Sequence, residues 1–268
     1  MIRKALAFLK KDFLMESSYR LSFLFNFFGI LVGILSYYFI DKLFGSQIAP
    51  HLETFGVSYF SYVLLSSAFF GYVGVGMGSF SARISAEQQQ GTLEAVLITP
   101  TKISTILISL AIWNLILATI DMVIYILLAV FLFKISFANI NILSTAIIFV
   151  LTILSFSALG IISASFIMVF KRGNPVGWIV SSIEGLIGGV YFPVTVLPAW
   201  LQFLAKLFPI TYAIQAIQFA VYKGYSPVQL WREIGFLLAF SAILLPLSLA
   251  SFKYGLRKSR KDGTLGQY

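Results

Sequence analysis

Three places in this chain hold residues whose types and spacing could do chemistry. The first is a polar stretch from Arg83 to Lys102 between two long apolar runs, with Glu87, Gln88, Gln89, Gln90 and Glu94 grouped around Gly91. Ser85 stands three residues before Gln88 in capping-box spacing, so a short helix is expected to begin there. Gly91 can end it, and Thr92 with Glu94 can cap and charge the start of a second helix. Thr99 and Pro100 then supply the N-cap and first position of the next long helix. The chemistry such a unit offers is docking, because a short, capped, stiff surface suits a partner. A well-capped loop without a partner has the same grammar, and both readings stand on these residues.

The second place is a pair of acids inside apolar runs, Asp121 and Glu184. An ionised carboxylate at mid-membrane costs roughly 2.5–3.5 kcal/mol on insertion scales, so each is expected to face protein or a water-filled path. With Asn114, Ser181 and Ser182 nearby in sequence, both are candidates to line a translocation pathway. The competing reading is structural glue, in which the acids bond to hydroxyls or backbone between helices. The third place runs from Phe192 to Pro209, where Pro193, Pro198 and Pro209 interrupt an apolar sequence and forbid one straight helix. A catalytic set is missing. The sole histidine, His51, falls in a short polar loop, and no cysteine is available as nucleophile, thiolate ligand or disulfide partner. No HExxH, no GxSxG and no phosphate-cradling GxxxxGK followed by Ser or Thr occurs. The chain is therefore expected to be no enzyme and to hold no cofactor or metal of its own.

The elements that must position these residues follow from composition. The chain is 59% hydrophobic and 11% charged, with mean hydropathy +0.93, whereas soluble domains are roughly 25% charged. The expected fold is an all-α polytopic membrane protein with six spans, near 21–41, 57–80, 103–132, 142–170, 175–196 and 234–253. Runs of that length match the roughly 30 Å hydrocarbon layer, and they lack the alternation of membrane strands. Of 19 Lys and Arg, only Lys42, Lys134, Lys206, Lys223 and Arg232 fall on the side away from the N-terminus. The positive-inside rule then places both termini in the cytoplasm of a multi-pass plasma (inner) membrane protein. The net charge of +9 is ascribed to that topology and not to nucleic acid.

The whole of 1–268 reads as one transmembrane domain, with an interfacial helix at 1–20, a cytosolic loop at 81–102 and an outer re-entrant region at 197–223. In the first of these, Arg3, Lys4, Lys10 and Lys11 interrupt Leu6, Phe8, Leu9 and Phe13, which suits an amphipathic surface helix better than a cleaved signal. The pieces 198–208 and 209–222 are too short to cross and too oily for water, so they are expected to dip into the outer leaflet and return, the alternative being a helix pair lying flat at the interface with Trp200 as anchor. Gly29 with Gly33, Gly74 with Gly78, and Gly185 with Gly189 offer close helix contacts within a bundle or across a dimer.

Two stretches resemble a known family, the membrane subunits of type-2 ATP-binding-cassette (ABC-2) exporters. Glu87, Gly91, Thr92, Leu93, Glu94, Thr99 and Pro100 are similar to that family's pattern of Glu, three residues, Gly-Thr-Leu-Glu, then Thr-Pro. Phe192 to Trp200 and Phe208 to Tyr212 resemble its stretch between the last two spans, with Phe208 standing where many members carry Asn. The resemblance implies a permease whose loop, through Glu87, Gly91, Thr92, Leu93 and Glu94, rests on a separate ATPase subunit that binds ATP and Mg. It implies a second permease subunit, identical or not, in a lipid bilayer. It also implies outward transport of a drug, lipid or lipid-linked polysaccharide by alternating access, with Pro193, Pro198 and Pro209 at the outer gate. A gradient-driven secondary transporter or channel is the alternative. Such a protein would favour broken helices in both halves, and only the second half has a clear one.

Overall fold

The computed structural model describes residues 10, 13, 14, 20–89, 103–171 and 175–262, and among these every regular element is helical. In chain order they are α1 (Arg20–Ile48), α2 (Tyr59–Gln89), α3 (Ile103–Phe131), α4 (Ile142–Phe170), α5 (Pro175–Ile187), α6 (Ala199–Ala205), α7 (Pro209–Gln218) and α8 (Trp231–Lys261). A π turn over Phe219–Lys223 extends α7. Five of them, α1 to α4 and α8, are long and apolar enough to cross a membrane. The bent pair formed by α6 and the extended α7 raises the number to as many as six. The chain is thus an all-α, multi-pass membrane protein. The end bearing residues 89, 103 and 261 is called lower here, and the opposite end upper.

One expected span is shorter than composition suggests. The run 175–196 forms only the 13-residue α5, ending at Ile187, which at ~1.5 Å per residue covers about 20 Å and not the roughly 30 Å of a bilayer core. The break falls at Gly188 and Gly189, ahead of Pro193. Gly189 adopts φ +89, a left-handed conformation that glycine enters without a Cβ penalty. Its carbonyl accepts a hydrogen bond from the Tyr62 hydroxyl of α2 at 2.6 Å. A second expectation also changes, because Ser85 starts no helix: α2 runs unbroken through it to Gln89. The helix already under way satisfies the backbone that a capping box would otherwise serve. Of the interfacial segment 1–20, residues 10, 13, 14 and 20 are described, and the Phe13 ring meets Trp113 of α3 edge-on with centroids 6.1 Å apart.

Helices α2, α4 and α8 run in the same direction, with α4 in the middle. On one flank, Phe149 packs edge-on against Phe69 at 4.9 Å, and a Cβ on Gly160 would stand 2.5 Å from the Met77 carbonyl and 2.9 Å from that of Gly76. On the other flank, Ser155 and Ser241 share a hydroxyl hydrogen bond of 2.7 Å. Further down, Ser165 donates to the Ser251 carbonyl at 2.7 Å and Ser259 to that of Met168 at 3.0 Å. Small side chains and hydroxyls are what hold helices together where lipid removes the hydrophobic drive for association. Gly29, Gly74 and Gly78 meet nothing within 4 Å in the protomer, whereas a Cβ on Gly185 would touch the Phe70 ring of α2 at 3.4 Å, and the backbones of α2 and α4 come closest at Gly160. Asn141 caps α4 by accepting from the Ser144 amide at 3.0 Å. Helices α1 and α3 run the opposite way, with Tyr38 of α1 against Phe133, just beyond the end of α3, at 5.2 Å.

Candidate functional site

The proline-broken region forms a polar-pinned assembly at the upper end. Pro193 precedes a single 3-10 turn, Val194–Val196, and Pro198 stands at the N-cap of α6. Pro209 occupies the first turn of α7, where its fixed φ and missing N–H carry no penalty. Each proline therefore starts a short element. Between α6 and α7 the path turns through 90°, and the Thr211 hydroxyl secures the turn by donating to the Ala205 carbonyl at 2.7 Å. Four bonds then tie the extended α7 and the α5 break to one short segment of α2. Gln218 donates to the Tyr62 carbonyl at 2.9 Å and to the Ser66 hydroxyl at 2.8 Å. Tyr222 donates to the Ser61 carbonyl at 2.8 Å. With the bond from Tyr62 to Gly189, residues 61–66 of α2 become the anchor of the region.

Sequence reasoning missed Tyr62, Gln218 and Tyr222 as anchors. The usable signal was a glutamine inside an apolar run, since a buried amide needs partners. Asn26 was missed in the same way, and it is the partner of Asp121: its side-chain amide donates to Asp121 Oδ1 at 2.7 Å, joining α1 to α3. That bond has the form of interhelical glue. Glu184 differs. It is fully buried, and neither carboxylate oxygen has a hydrogen-bond partner among the described residues. Its neighbour Gly185 faces the Phe70 ring of α2. Glue requires a bond, and a buried carboxylate without one is costly to retain for structure alone. The structure does not join Asp121 to Glu184 through any hydrogen bond among the described residues. Ser181 donates to the Gly177 carbonyl of its own helix at 2.7 Å. Ser182 is exposed, and Asn114 is half-buried.

Of the candidate docking residues, Glu87 lies in the last turns of α2, while Gly91, Thr92, Leu93 and Glu94 lie outside the described residues. The apolar part of α2 ends at Ala82, so the helix continues to Gln89 for about two further turns at ~3.6 residues each. One helix of 31 residues thus connects the candidate docking stretch to the anchor at residues 61–66. Compared with known proteins, the chain matches the family model of the ABC-2 type transporter over residues 4–222. No curated protein matches it.

Proposed function

The chain belongs to the ABC-2 type transporter family and is a membrane permease subunit, and from that premise we propose that it exports an amphiphilic substrate, powered by a separate ATPase subunit. Members of the family work with an ATPase, and the residues from Glu87 to Glu94 are where we place that contact. The observation that carries the reading is the continuity of α2. A helix spanning Tyr59–Gln89 without a break transmits displacement at its lower end to Ser61, Tyr62 and Ser66, which hold the bent pair and the α5 break. ATP-driven closure of the partner pushes that end, and the upper assembly around Pro193, Pro198 and Pro209 opens as the outer gate. The nucleotide biases an equilibrium between inward-open and outward-open states. ATP and Mg belong to the partner, and a second permease subunit, the same or different, completes the pathway. Both termini lie in the cytoplasm of the plasma membrane, as the distribution of Lys and Arg argues. The substrate is a drug, a lipid or a lipid-linked polysaccharide. The gradient-driven alternative gains no support from the family match.

The test is Glu94→Lys in the complete complex reconstituted in liposomes. Co-purified ATPase and ATP-dependent transport should each fall at least ~10-fold, the factor set by about 1.4 kcal/mol of lost contact, with the unfolding midpoint of the permease unchanged. Wild-type transport by this variant defeats the docking assignment.

Glu184 offers a separate expectation. Replacing a buried carboxylate that lacks a donor by a neutral amide relieves a burial penalty, so Glu184→Gln should keep or raise the unfolding midpoint. If Glu184 lines the pathway, the same variant transports less while still assembling with the ATPase. Unchanged transport retires that role.

A further inference from the structure

A cavity of about 510 Å³ opens at the upper end between the segment after α1, the loop after α5, helices α6 and α7, and the first turn of α8. Its floor is apolar and closed: Tyr62 is 2% exposed, Ile214 1% and Phe219 8%. Its mouth is polar, with exposed Lys206 at the end of α6, exposed Arg232 in the first turn of α8 and the half-buried Glu233 as the one acid in the lining. Neither the Lys206 nor the Arg232 side chain has an ion-pair or hydrogen-bond partner among the described residues, and the Gln215 amide that also lines the cavity has none either. Trp200 on α6 and Trp231 at the start of α8 are 66% and 68% exposed. Aromatic rings so placed favour the membrane–water interface, which sets the mouth at headgroup depth.

We propose that this cavity binds the phosphate-bearing headgroup of an anionic amphiphile, with the anion between Lys206 and Arg232 and the first apolar part of the molecule on the Phe55 and Phe219 floor. Two cations against one carboxylate leave an excess positive charge that an anion neutralises. Arg232 offers a planar fork suited to two phosphate oxygens, and Lys206 a mobile point charge. The volume lies within the range of ligand pockets, roughly 300–1,000 Å³, and exceeds what a lone phosphate needs. A neutral sugar would leave both cations without a purpose. An organic cation would find one acid and two repelling charges. The site itself requires no nucleotide. Its use in export rests on the function proposed above.

The same chemistry can come from a bilayer lipid or from the transported substrate, and one set of measurements separates them. The probe is dihexanoyl phosphatidylglycerol, titrated by intrinsic tryptophan fluorescence into the full permease–ATPase complex in phosphatidylcholine nanodiscs without nucleotide. The variant Lys206→Gln with Arg232→Gln should weaken its binding at least ~10-fold and leave dihexanoyl phosphatidylcholine unaffected. Glu233→Gln should tighten it. Lys134→Gln, an exposed cation at the same end but outside the cavity, should change nothing. Equal affinity in the double variant and the wild type overturns the site. Inorganic phosphate competing as strongly as the lipid overturns the amphiphile. With the site standing, occupancy that falls when ATP is added assigns the ligand to transport, and occupancy that persists assigns it to the bilayer. Because binding is read without nucleotide, a failure of the export reading leaves this result intact.

Discussion

Gly160→Val is expected to cost about 3 kcal/mol or more and to abolish most of the folded yield, because it separates the central helix α4 from α2. The backbone of α4 at Gly160 faces that of α2, and a Cβ there would stand 2.5 Å from the Met77 carbonyl oxygen. The obstruction is main chain within a helix and cannot rotate away. Relief requires α2 and α4 to part, and a gap of even ~1 Å forfeits a quarter to a half of each dispersion contact it opens. Between helices in lipid no hydrophobic term compensates, so packing loss translates directly into stability. Thermal unfolding in detergent compared with Gly74→Val checks this, since Gly74 meets nothing within 4 Å and valine is no worse a helix former than glycine, so that substitution should leave the midpoint unchanged or slightly raised. Equal midpoints for the two variants would contradict the packing described here.

Gly224→Ala should lower stability by about 2–3 kcal/mol, for two reasons that act together. Gly224 has φ +68, where a Cβ costs roughly 1–2 kcal/mol. The same Cβ would stand 2.6 Å from the Asn139 carbonyl. That carbonyl belongs to the connection between α3 and α4, which is sewn to the end of the extended α7: the Asn141 amide donates to the Ala220 carbonyl at 2.9 Å, and Ser144 donates to that of Tyr225 at 2.7 Å. Pushing Asn139 away loosens both bonds, so amide exchange at 141–145 should accelerate along with the fall in midpoint. Gly235→Ala is the matched comparison. Gly235 lies in α8 with open space around it, and alanine there should raise stability by up to ~1 kcal/mol. A Gly224→Ala protein that unfolds with wild-type midpoint and exchange would refute the seam.

Several sequence expectations survive in detail because their causes are local. Pro198 and Pro209 begin α6 and α7, since a fixed φ and a missing N–H act on the residue itself whatever surrounds it. Others did not survive because their causes are remote. Ser85 carries the residues of a capping box but starts no helix, as α2 arrives there already helical. The span expected over 175–196 stops at Ile187, where Gly189 turns to φ +89 and a tyrosine more than a hundred residues earlier holds its carbonyl.

What the amino-acid sequence by itself determined is the class of molecule: long apolar helices, their approximate positions, the proline-initiated short elements, and a polar motif of the ABC-2 pattern. All of these depend on the length, apolarity or identity of contiguous residues. What only the tertiary structure decided is which face of each helix meets protein. In a membrane chain the lipid-facing and core-facing sides are both apolar, so periodicity carries little information about burial. Hence the central place of α4, the Asn26 bond to Asp121, the unpartnered burial of Glu184 among the described residues and the cavity lined by Lys206 and Arg232 arise from contacts between residues far apart in sequence, which no local pattern encodes.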